Sequence, residues 1–316
     1  MYGFNTLTKV FESSEEIIFD DLTNIVLMSD CHRGDGTWND NFAKNQRSYF
    51  TALEHYYKND YIYIEIGDGD ELWEVKEFQD ILNMHKDVFW LLSKFHKEGR
   101  FYCIYGNHDM IKKDKKFVEE NLYSYYDGRT KKTISLFNNI KIHEGIILKQ
   151  RGTGNKIFLI HGHQVDFLNY TLWRLAKFLV RNLWRPLESH GIRDKASPAK
   201  NYKKKDIIDN KITKWANIKK HMIITGHTHR PMFPDVGEVP YFNDGSCVHP
   251  RCITAIEIER GYITLVKWGI ETKKDGTLFI GRDIIAGPRL IKEYFEFYNQ
   301  KQRDDPPWVP IIKFEI

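Results

Sequence analysis

No stretch of this chain approaches the roughly 18 consecutive apolar residues that a membrane-spanning helix needs, because charged or polar residues interrupt every apolar run. Cysteine is scarce. Cys31, Cys103, Cys247 and Cys252 form no CxxC pair and no dense framework, which points to a reducing compartment. The N-terminal segment MYGFNTLTKVFESSEEIIF lacks a basic stretch followed by an apolar one, so no signal peptide is read and a cytoplasmic location is expected. Net charge is also slight: 47 Lys+Arg against 43 Asp+Glu leave +4, too little to indicate a nucleic-acid partner. With 21 Gly and 10 Pro there is no collagen-like or linker-rich character, and no repeat or low-complexity tract. What remains is an ordinary globular composition, 41% hydrophobic and 28% charged. Its length suits one large α/β domain or two small ones.

Five short runs rich in β-branched and aromatic residues read as buried strands: Asn24–Ser29, Tyr61–Ile66, Phe101–Tyr105, Lys156–Ile160 and His221–Thr225. A helix is expected from about Asn41 to Lys58. Another is expected from about Glu74 to Glu98, where Val75, Phe78, Ile81, Leu82, Val88, Phe89, Leu92 and Phe95 recur at helical spacing. Strand–helix–strand alternation implies right-handed crossovers and a sheet covered by helices. Thr130–Leu148 reads as a hairpin inserted before the fourth strand. From Tyr241 to about Phe279 the chain is again strand-rich, with a turn at Gly261. The Pro-containing tail DDPPWVP has no evident role.

Each of the five runs ends in residues that can hold a metal. In order they are Asp30-Cys-His32, Gly67-Asp68-Gly-Asp70-Glu71, Gly106-Asn107-His108-Asp109, His161-Gly-His163 and Gly226-His227-Thr-His229. Ligands of α/β sheets bind beyond the carboxyl ends of strands, so these loops should converge on one edge. Imidazole nitrogen and carboxylate oxygen suit hard and borderline divalent ions. The seven donors Asp30, His32, Asp68, Asn107, His161, His227 and His229 are too many for one tetrahedral ion. They suit two ions sharing a carboxylate. Any one of these motifs alone reads equally well as a turn; the series of five does not. Cys31, between two of the donors, reads as packing, and Asp35 reads equally as a loop residue bordering the substrate or as part of a plain turn.

The series DxH, GDxxE, GNHD, HGH and GHTH resembles that of the calcineurin-like metallophosphoesterases, over about Asn24 to Ser246. The resemblance implies a four-layer α/β sandwich of two mixed sheets around a dinuclear centre, in a single domain over 1–316. It implies that Asp30, His32 and His229 bind one ion, that Asn107, His161 and His227 bind the other, and that Asp68 bridges. It makes His108 the active-site histidine, oriented by Glu71 or alternatively Asp70, with Asp109 of the same motif in the catalytic set. Mn²⁺ is the first expectation for both divalent ions, with Fe or Zn²⁺ as alternatives. The reaction implied is metal-assisted hydrolysis of a phosphate ester or pyrophosphate bond by a bridging hydroxide. The Ser/Thr phosphatase pattern GDxxDRG is absent. The chain is more similar to the branch of UDP-2,3-diacylglucosamine hydrolases of lipid A synthesis, in GDxxE, in the His-Gly pair, in GHTHRP at Gly226–Pro231 and in NDGS at Asn243–Ser246. That branch commonly carries Arg where this chain has His108 and Asp where it has His163.

Between HGH and GHTH lies an insert, 164–220, expected to form a helical cap. Leu168, Leu172, Leu175, Leu179 and Leu183 form an apolar stripe, and Arg174, Lys177, Arg181 and Arg185 a basic one. Trp173, Phe178 and Trp184 widen the apolar surface. The cap reads as a substrate lid, a packing helix or a membrane-surface helix. His163, Arg174, Arg181 and Asn243 are the expected substrate contacts, and the run Lys112–Lys116 is expected to be a solvated surface. From His163 to Lys220 there are 14 Lys+Arg against five acids, so this segment carries +9 and the rest of the chain −5. That asymmetry suits a small or lipid-linked phosphate substrate. The alternatives are a phosphodiesterase or nuclease acting on nucleotides, and a non-catalytic scaffold of the same fold. The oligomeric state is left open.

Overall fold

The computed structural model describes residues 2–38, 40–128, 130–184 and 201–296. The five expected strands are present as β2 (Ile25–Met28), β3 (Ile62–Ile66), β4 (Phe101–Ile104), β9 (Lys156–Ile160) and β10 (Met222–Thr225). Side chains alternate across a strand, and here both faces are apolar, so each strand is covered on both sides. In β3, Ile64 and Ile66 face one cluster while Tyr63 faces another; in β9, Leu159 and Phe158 divide in the same way.

Two sheets result. The larger has the strand order β14-β13-β12-β2-β3-β4-β7, with β7 at Ile142–His143, β12 at Cys252–Glu259, β13 at Tyr262–Thr272 and β14 at Leu278–Leu290. The smaller runs β1-β8-β9-β10-β11, with β1 at Glu15–Phe19, β8 at Gly145–Gln150 and β11 at Tyr241–Asn243. Both are mixed: β2, β3, β4 and β7 are parallel and β12 antiparallel to β2, while β8 and β9 are antiparallel and β9, β10 and β11 parallel. The sheets face each other through Ile25, Leu27, Ile64, Ile66, Ile104, Ile146, Leu148, Leu159 and Ile224. Helices α2 (Gln46–Lys58), α3 (Phe78–Met84), α4 (Lys86–Lys97) and α5 (Lys115–Asn121) cover the larger sheet. Helix α1 (Tyr2–Ser13) and α8 (Tyr202–Lys219) cover the smaller through Leu7, Val10, Ile212 and Trp215. This is a four-layer α/β sandwich, as expected.

Four local expectations are corrected. The helix expected over 74–98 is two helices broken at His85, which is fully buried with Nε2 3.0 Å from Asp40 Oδ2. The helix expected from Asn41 starts at Gln46, because the Asp40 carboxylate accepts the N–H groups of Phe42 and Ala43 and holds that stretch in turns. The expected Thr130–Leu148 hairpin does not form. Instead β6 (Lys132–Ser135) pairs back onto β5 (Ser124–Asp127), β7 joins the larger sheet, and β8 crosses to the smaller one and pairs with β9. Strand β8 is apolar on both faces, and only the sheet interior covers both. In the insert, α6 (Phe167–Tyr170) and α7 (Trp173–Leu179) lead into a π-helical turn at Val180–Trp184. They bury Trp173 and Ala176, while Leu168, Leu172, Leu175 and Leu183 of the expected stripe stay exposed. The indole finds a fitted aromatic seat, described below, that the leucines do not. Arg185 and the tail DDPPWVP lie outside the described residues. Among the described residues no helix is long and apolar enough to cross a membrane.

Candidate metal centre

The carboxyl ends of β2, β3, β4, β9 and β10 meet between the two sheets. Backbone bonds lock the loops to one another: Asp30 and His32 donate their N–H groups to the carbonyls of Gly67 and Asp68, and Gly226 donates to His161. Five of the candidate ligands sit in left-handed backbone conformation, with φ of +51° at Asp30, +47° at His32, +51° at Asp68, +67° at His227 and +50° at His229. Such conformations cost about 1–2 kcal/mol each for a residue with a Cβ and persist where surrounding contacts over-determine them.

Four of the ligands have one side-chain atom tied down and one turned to the centre. Asp30 Oδ2 accepts from the Ser29 hydroxyl at 2.6 Å and the His227 N–H at 2.8 Å, leaving Oδ1. Asp68 Oδ1 accepts the His108 N–H at 2.8 Å, leaving Oδ2. His161 donates from Nδ1 to the Ile66 carbonyl at 2.9 Å, so its Nε2 lone pair points inward. His32 is held through Nδ1 by Glu71 Oε2 at 2.8 Å. The free atoms converge in two groups, Asp30–His32–His229 and Asp68–His161–His227, each within 4.8 Å. His229 Nε2 lies 2.9 Å from Asp30 Oδ1, and His161 Nε2 3.1 Å from Asp68 Oδ2.

These residues fit a pair of divalent ions. Asp30 Oδ1, His32 Nε2, Asn107 Oδ1, His161 Nε2 and His227 Nε2 are buried and make no well-formed hydrogen bond among the described residues, although Asp30 Oδ1 and His161 Nε2 each lie close to an oppositely charged neighbour. An unpaired buried polar atom costs about 1–3 kcal/mol, and five aimed at one space call for a ligand there. The electrostatics agree. Burial opposes ionisation of Asp68, yet His161 and His108 hold its carboxyl far below the usual range. Burial works against a charged His161, but Asp68 and Asp30 push it up to about 9. His227 is driven down to about 3 by burial and by His161. The carboxylates draw in positive charge that bound cations would supply.

Glu71, not Asp70, orients His108: its Oε1 accepts from His108 Nδ1 at 2.8 Å while Oε2 holds His32. The Trp73 ring stacks on His108 at 4.3 Å between centroids, 23° from parallel. Trp73 also belongs to the cap's seat, packing with Tyr105, Met110, Trp173 and Ala176.

Other expected site residues face elsewhere. Asp109 is fully buried and accepts from the N–H groups of Gly106 at 2.7 Å and Gly69 at 3.1 Å, so it braces two loops. Asp70 pairs with Arg33 Nε at 2.7 Å and with Lys112 Nζ at 2.7 Å. Lys112 also reaches Asp109 at 2.7 Å, and Arg33 reaches both oxygens of Glu65 at 2.7 and 2.9 Å. Lys112 is therefore not solvated but buried, in an ion network under three ligand loops. Arg181 donates to the carbonyls of Leu72, Trp73 and Val75, fastening the cap to the loop after Glu71. Arg174 is exposed, with its guanidinium 5.5 Å from the Trp173 ring. Asn243 is buried and donates to the Gly226 carbonyl at 2.6 Å, shaping the GHTH loop. His163 is fully buried, its ring 5.4 Å from that of His161 and 6.3 Å from that of His227, and neither ring nitrogen is hydrogen-bonded among the described residues. Burial and those two rings push its pKa well down. Cys31 lies in the core, and Asp35 closes a turn with Thr37.

Arg33, Trp73 and Asp244 lie outside the expected site residues, yet each touches the centre or its supports. Asp244 Oδ1 lies 2.6 Å from Ser29 Oγ, and burial and the neighbouring Asp30 push its carboxyl well up, so a protonated Asp244 can donate to the hydroxyl that donates to Asp30. For Arg33 the available signal was a charged residue directly beside a ligand motif.

The profile of the calcineurin-like phosphoesterases matches residues 23–231, the span holding all seven candidate ligands. Among solved structures, the crystal structure of Chaetomium thermophilum Vps29 aligns over 84% of this chain and 96% of that chain, at 9% identity and a TM-score of 0.37. No curated protein matches the chain.

Proposed function

Because the chain belongs to the calcineurin-like phosphoesterase family, we propose that it is a metal-dependent hydrolase of a phosphate ester or pyrophosphate bond. The observation that carries the reading is the set of free, buried ligand atoms in two groups at one sheet edge. Asp30, His32 and His229 would hold one ion; Asn107, His161 and His227 would hold the other; Asp68 would serve both. Bound there, divalent ions, Mn²⁺ first with Fe or Zn²⁺ as alternatives, would supply Lewis-acid charge against phosphoryl oxygens and acidify water. His108, its Nδ1–H held by Glu71, offers Nε2 to a phosphoryl oxygen or to the leaving oxygen. Such proton transfers contribute about 10²–10⁴-fold. Glu71 keeps both His32 and His108 in the tautomer that leaves Nε2 free. Arg33, Lys112 and Asp109 hold the loops in register from below.

For the substrate we propose a nucleotide-linked amphiphile, such as a UDP-acylglucosamine-like compound. Leu168, Leu172, Leu175, Phe178 and Leu183 on the exposed side of the 164–220 cap support it, since apolar groups left in water suit an acyl chain or a lipid surface. The same residues support peripheral membrane association of a cytoplasmic enzyme. Five strained ligand backbones argue against a scaffold without catalysis, which would have no use for them.

The test is a panel of phosphomonoesters, cyclic nucleotides, UDP-sugars and UDP-acylglucosamines on Mn²⁺-loaded protein, with products read by mass spectrometry. Asp68→Asn and His229→Ala should lose metal and turnover, while His108→Ala should keep metal and slow. Full activity with retained metal in Asp68→Asn would refute the reading.

A further inference from the structure

Strand β14 closes one side of the larger sheet, and its outer side is open. Of the other edges of the two large sheets, β1 carries Glu15 and Glu16, β7 has two residues and β11 three. From Leu278 to Ile284, β14 pairs with β13 in unbroken register, and no other backbone group among the described residues bonds to that stretch. A bulge follows at Ile285, between the Val266–Ile284 and Leu265–Ala286 pairs. An edge strand invites a further strand unless a charge, a proline or a bulge blunts it. Here both charges of the stretch are engaged within the sheet. Arg282 Nε donates to Glu257 Oε1 at 2.9 Å, across β13, and Asp283 pairs with Lys267 at 3.1 Å. Pro288 and the bulge lie beyond it. What the stretch leaves in water is apolar: Leu278 is 66% exposed, Ile284 51% and Phe279 38%.

The two ends of this edge differ in shape and charge. Before its start, the turn from β13 (residues 273–277) is closed by the Lys273 N–H on the Thr277 carbonyl at 2.8 Å and the Gly276 N–H on the Lys273 carbonyl at 2.9 Å. It presents Lys273 and Lys274 to solvent. Past its end lies a cleft of about 410 Å³ lined by Tyr262, Gly287, Pro288, Arg289, Leu290 and Glu293. Asp235 claims Arg289 there, whereas Glu293 has no ion-pair partner among the described residues. One end is therefore a firm cationic projection and the other a hollow with a spare carboxylate.

We propose that this edge is covered by β14 of a second copy of the chain, antiparallel to the first about a two-fold axis at Gly281. Side-chain faces match across such an axis only when residues an even number apart meet, which leaves few registers. An axis at Arg282 sets Arg282 against Arg282, and one at Asp283 sets two carboxylates together. An axis nearer the turn shortens the pairing, and one at Ile284 runs it into the bulge. The axis at Gly281 uses the whole unbroken stretch, sets Leu278 opposite Ile284 on both sides and opposes no like charges. It also carries each copy's turn, with Lys273 and Lys274, to the cleft and Glu293 of the other. A strand from another protein would gain the same backbone bonds without this match of ends. A two-fold contact of this kind is closed and stops at a dimer. Strand β14 stands three strands from β2, so the pairing leaves each copy's metal centre open.

The test is sedimentation equilibrium of the full chain, which should give twice the 37.6 kDa of one chain. Leu278→Lys combined with Ile284→Lys sets lysine against lysine at both ends of the pairing and should weaken association about tenfold or more. Both side chains are exposed, so near-ultraviolet circular dichroism should be unchanged. Ile218→Lys, at a comparably exposed position on α8, should stay dimeric. Lys274→Glu should weaken association, and Glu293→Lys added to it should restore the dimer. Oxidation reads the register: a mixture of Leu278→Cys and Ile284→Cys chains should form a covalent dimer, and neither variant alone should. A wild type that keeps the mass of one chain across the concentration range overturns the proposal, whatever segment or other protein covers the edge instead. So does a dimer that the paired lysines leave intact, an Ile284→Cys chain that crosslinks to itself, or an unweakened Lys274→Glu.

Discussion

Glu71→Gln is the sharpest perturbation of the centre, because one carboxylate serves two histidines. Its two oxygens accept from His32 and His108 at 2.8 Å each. A glutamine keeps the size but has one acceptor oxygen and one NH₂, so at most one of the two ring N–H groups keeps its acceptor. Hydrogen bonds to a charged acceptor are worth about 1.5–3 kcal/mol. Removing the partner of a metal-ligating histidine typically costs about 10–100-fold in metal affinity or activity, and a misplaced His108 forfeits part of the about 10²–10⁴-fold assigned to proton transfer. The expected result is a kcat on bis(p-nitrophenyl) phosphate lowered about 100-fold or more. Mn²⁺ affinity by calorimetry should weaken about 10–100-fold, which is about 1.4–2.7 kcal/mol. The double variant with His108→Ala separates the two roles. Its kcat at saturating Mn²⁺ should match that of His108→Ala alone, since the carboxylate acts on the proton transfer only through that ring. Its Mn²⁺ affinity should still be weakened through His32. A Glu71→Gln enzyme with wild-type kcat and wild-type Mn²⁺ affinity would refute the reasoning, as would fully multiplicative kcat losses in the double variant.

Two further outcomes follow from the loops beneath and beside the centre. Lys112→Met leaves Asp70 and Asp109 buried without their shared cation and should destabilise the protein by about 3–5 kcal/mol in urea melts; a loss under about 1 kcal/mol, the level of an exposed pair, would show that the network does not matter. Gly67→Ala should reduce bound metal per chain, measured by elemental analysis. Gly67 has φ of +82°, and a Cβ there would meet the His161 ring at 2.7 Å; undiminished metal content would mean the loop moves aside freely.

The five strands and the layered class were legible because their signals are local. A run such as Lys156–Ile160, apolar on both faces and stopped by His161-Gly162, can only be a covered strand ending in a loop. The seven candidate ligands were legible for the same reason, since each is the residue type at which such a strand stops. What a segment faces was not legible, because that depends on the surface opposite it. The Leu stripe of the cap and the Trp173–Ala176 face are both plausible inner faces by periodicity. Contact with Trp73, Tyr105 and Met110 selects the second. Lys112 reads as one of a charged run, and only the arrival of Asp70 from another loop beside Asp109 turns it inward. Arg181 reads as a phosphate contact until the carbonyls of Leu72, Trp73 and Val75 claim its guanidinium. Residue chemistry and strand period travel with the chain, so the residue types suited to a metal, and the order in which the loops present them, can be read from it. Tertiary structure alone decided which ligand atoms are left free, which backbones are bent into left-handed geometry, and which charges lie beneath the centre. Each of these requires a partner distant in sequence, and proximity across the fold is what supplies it.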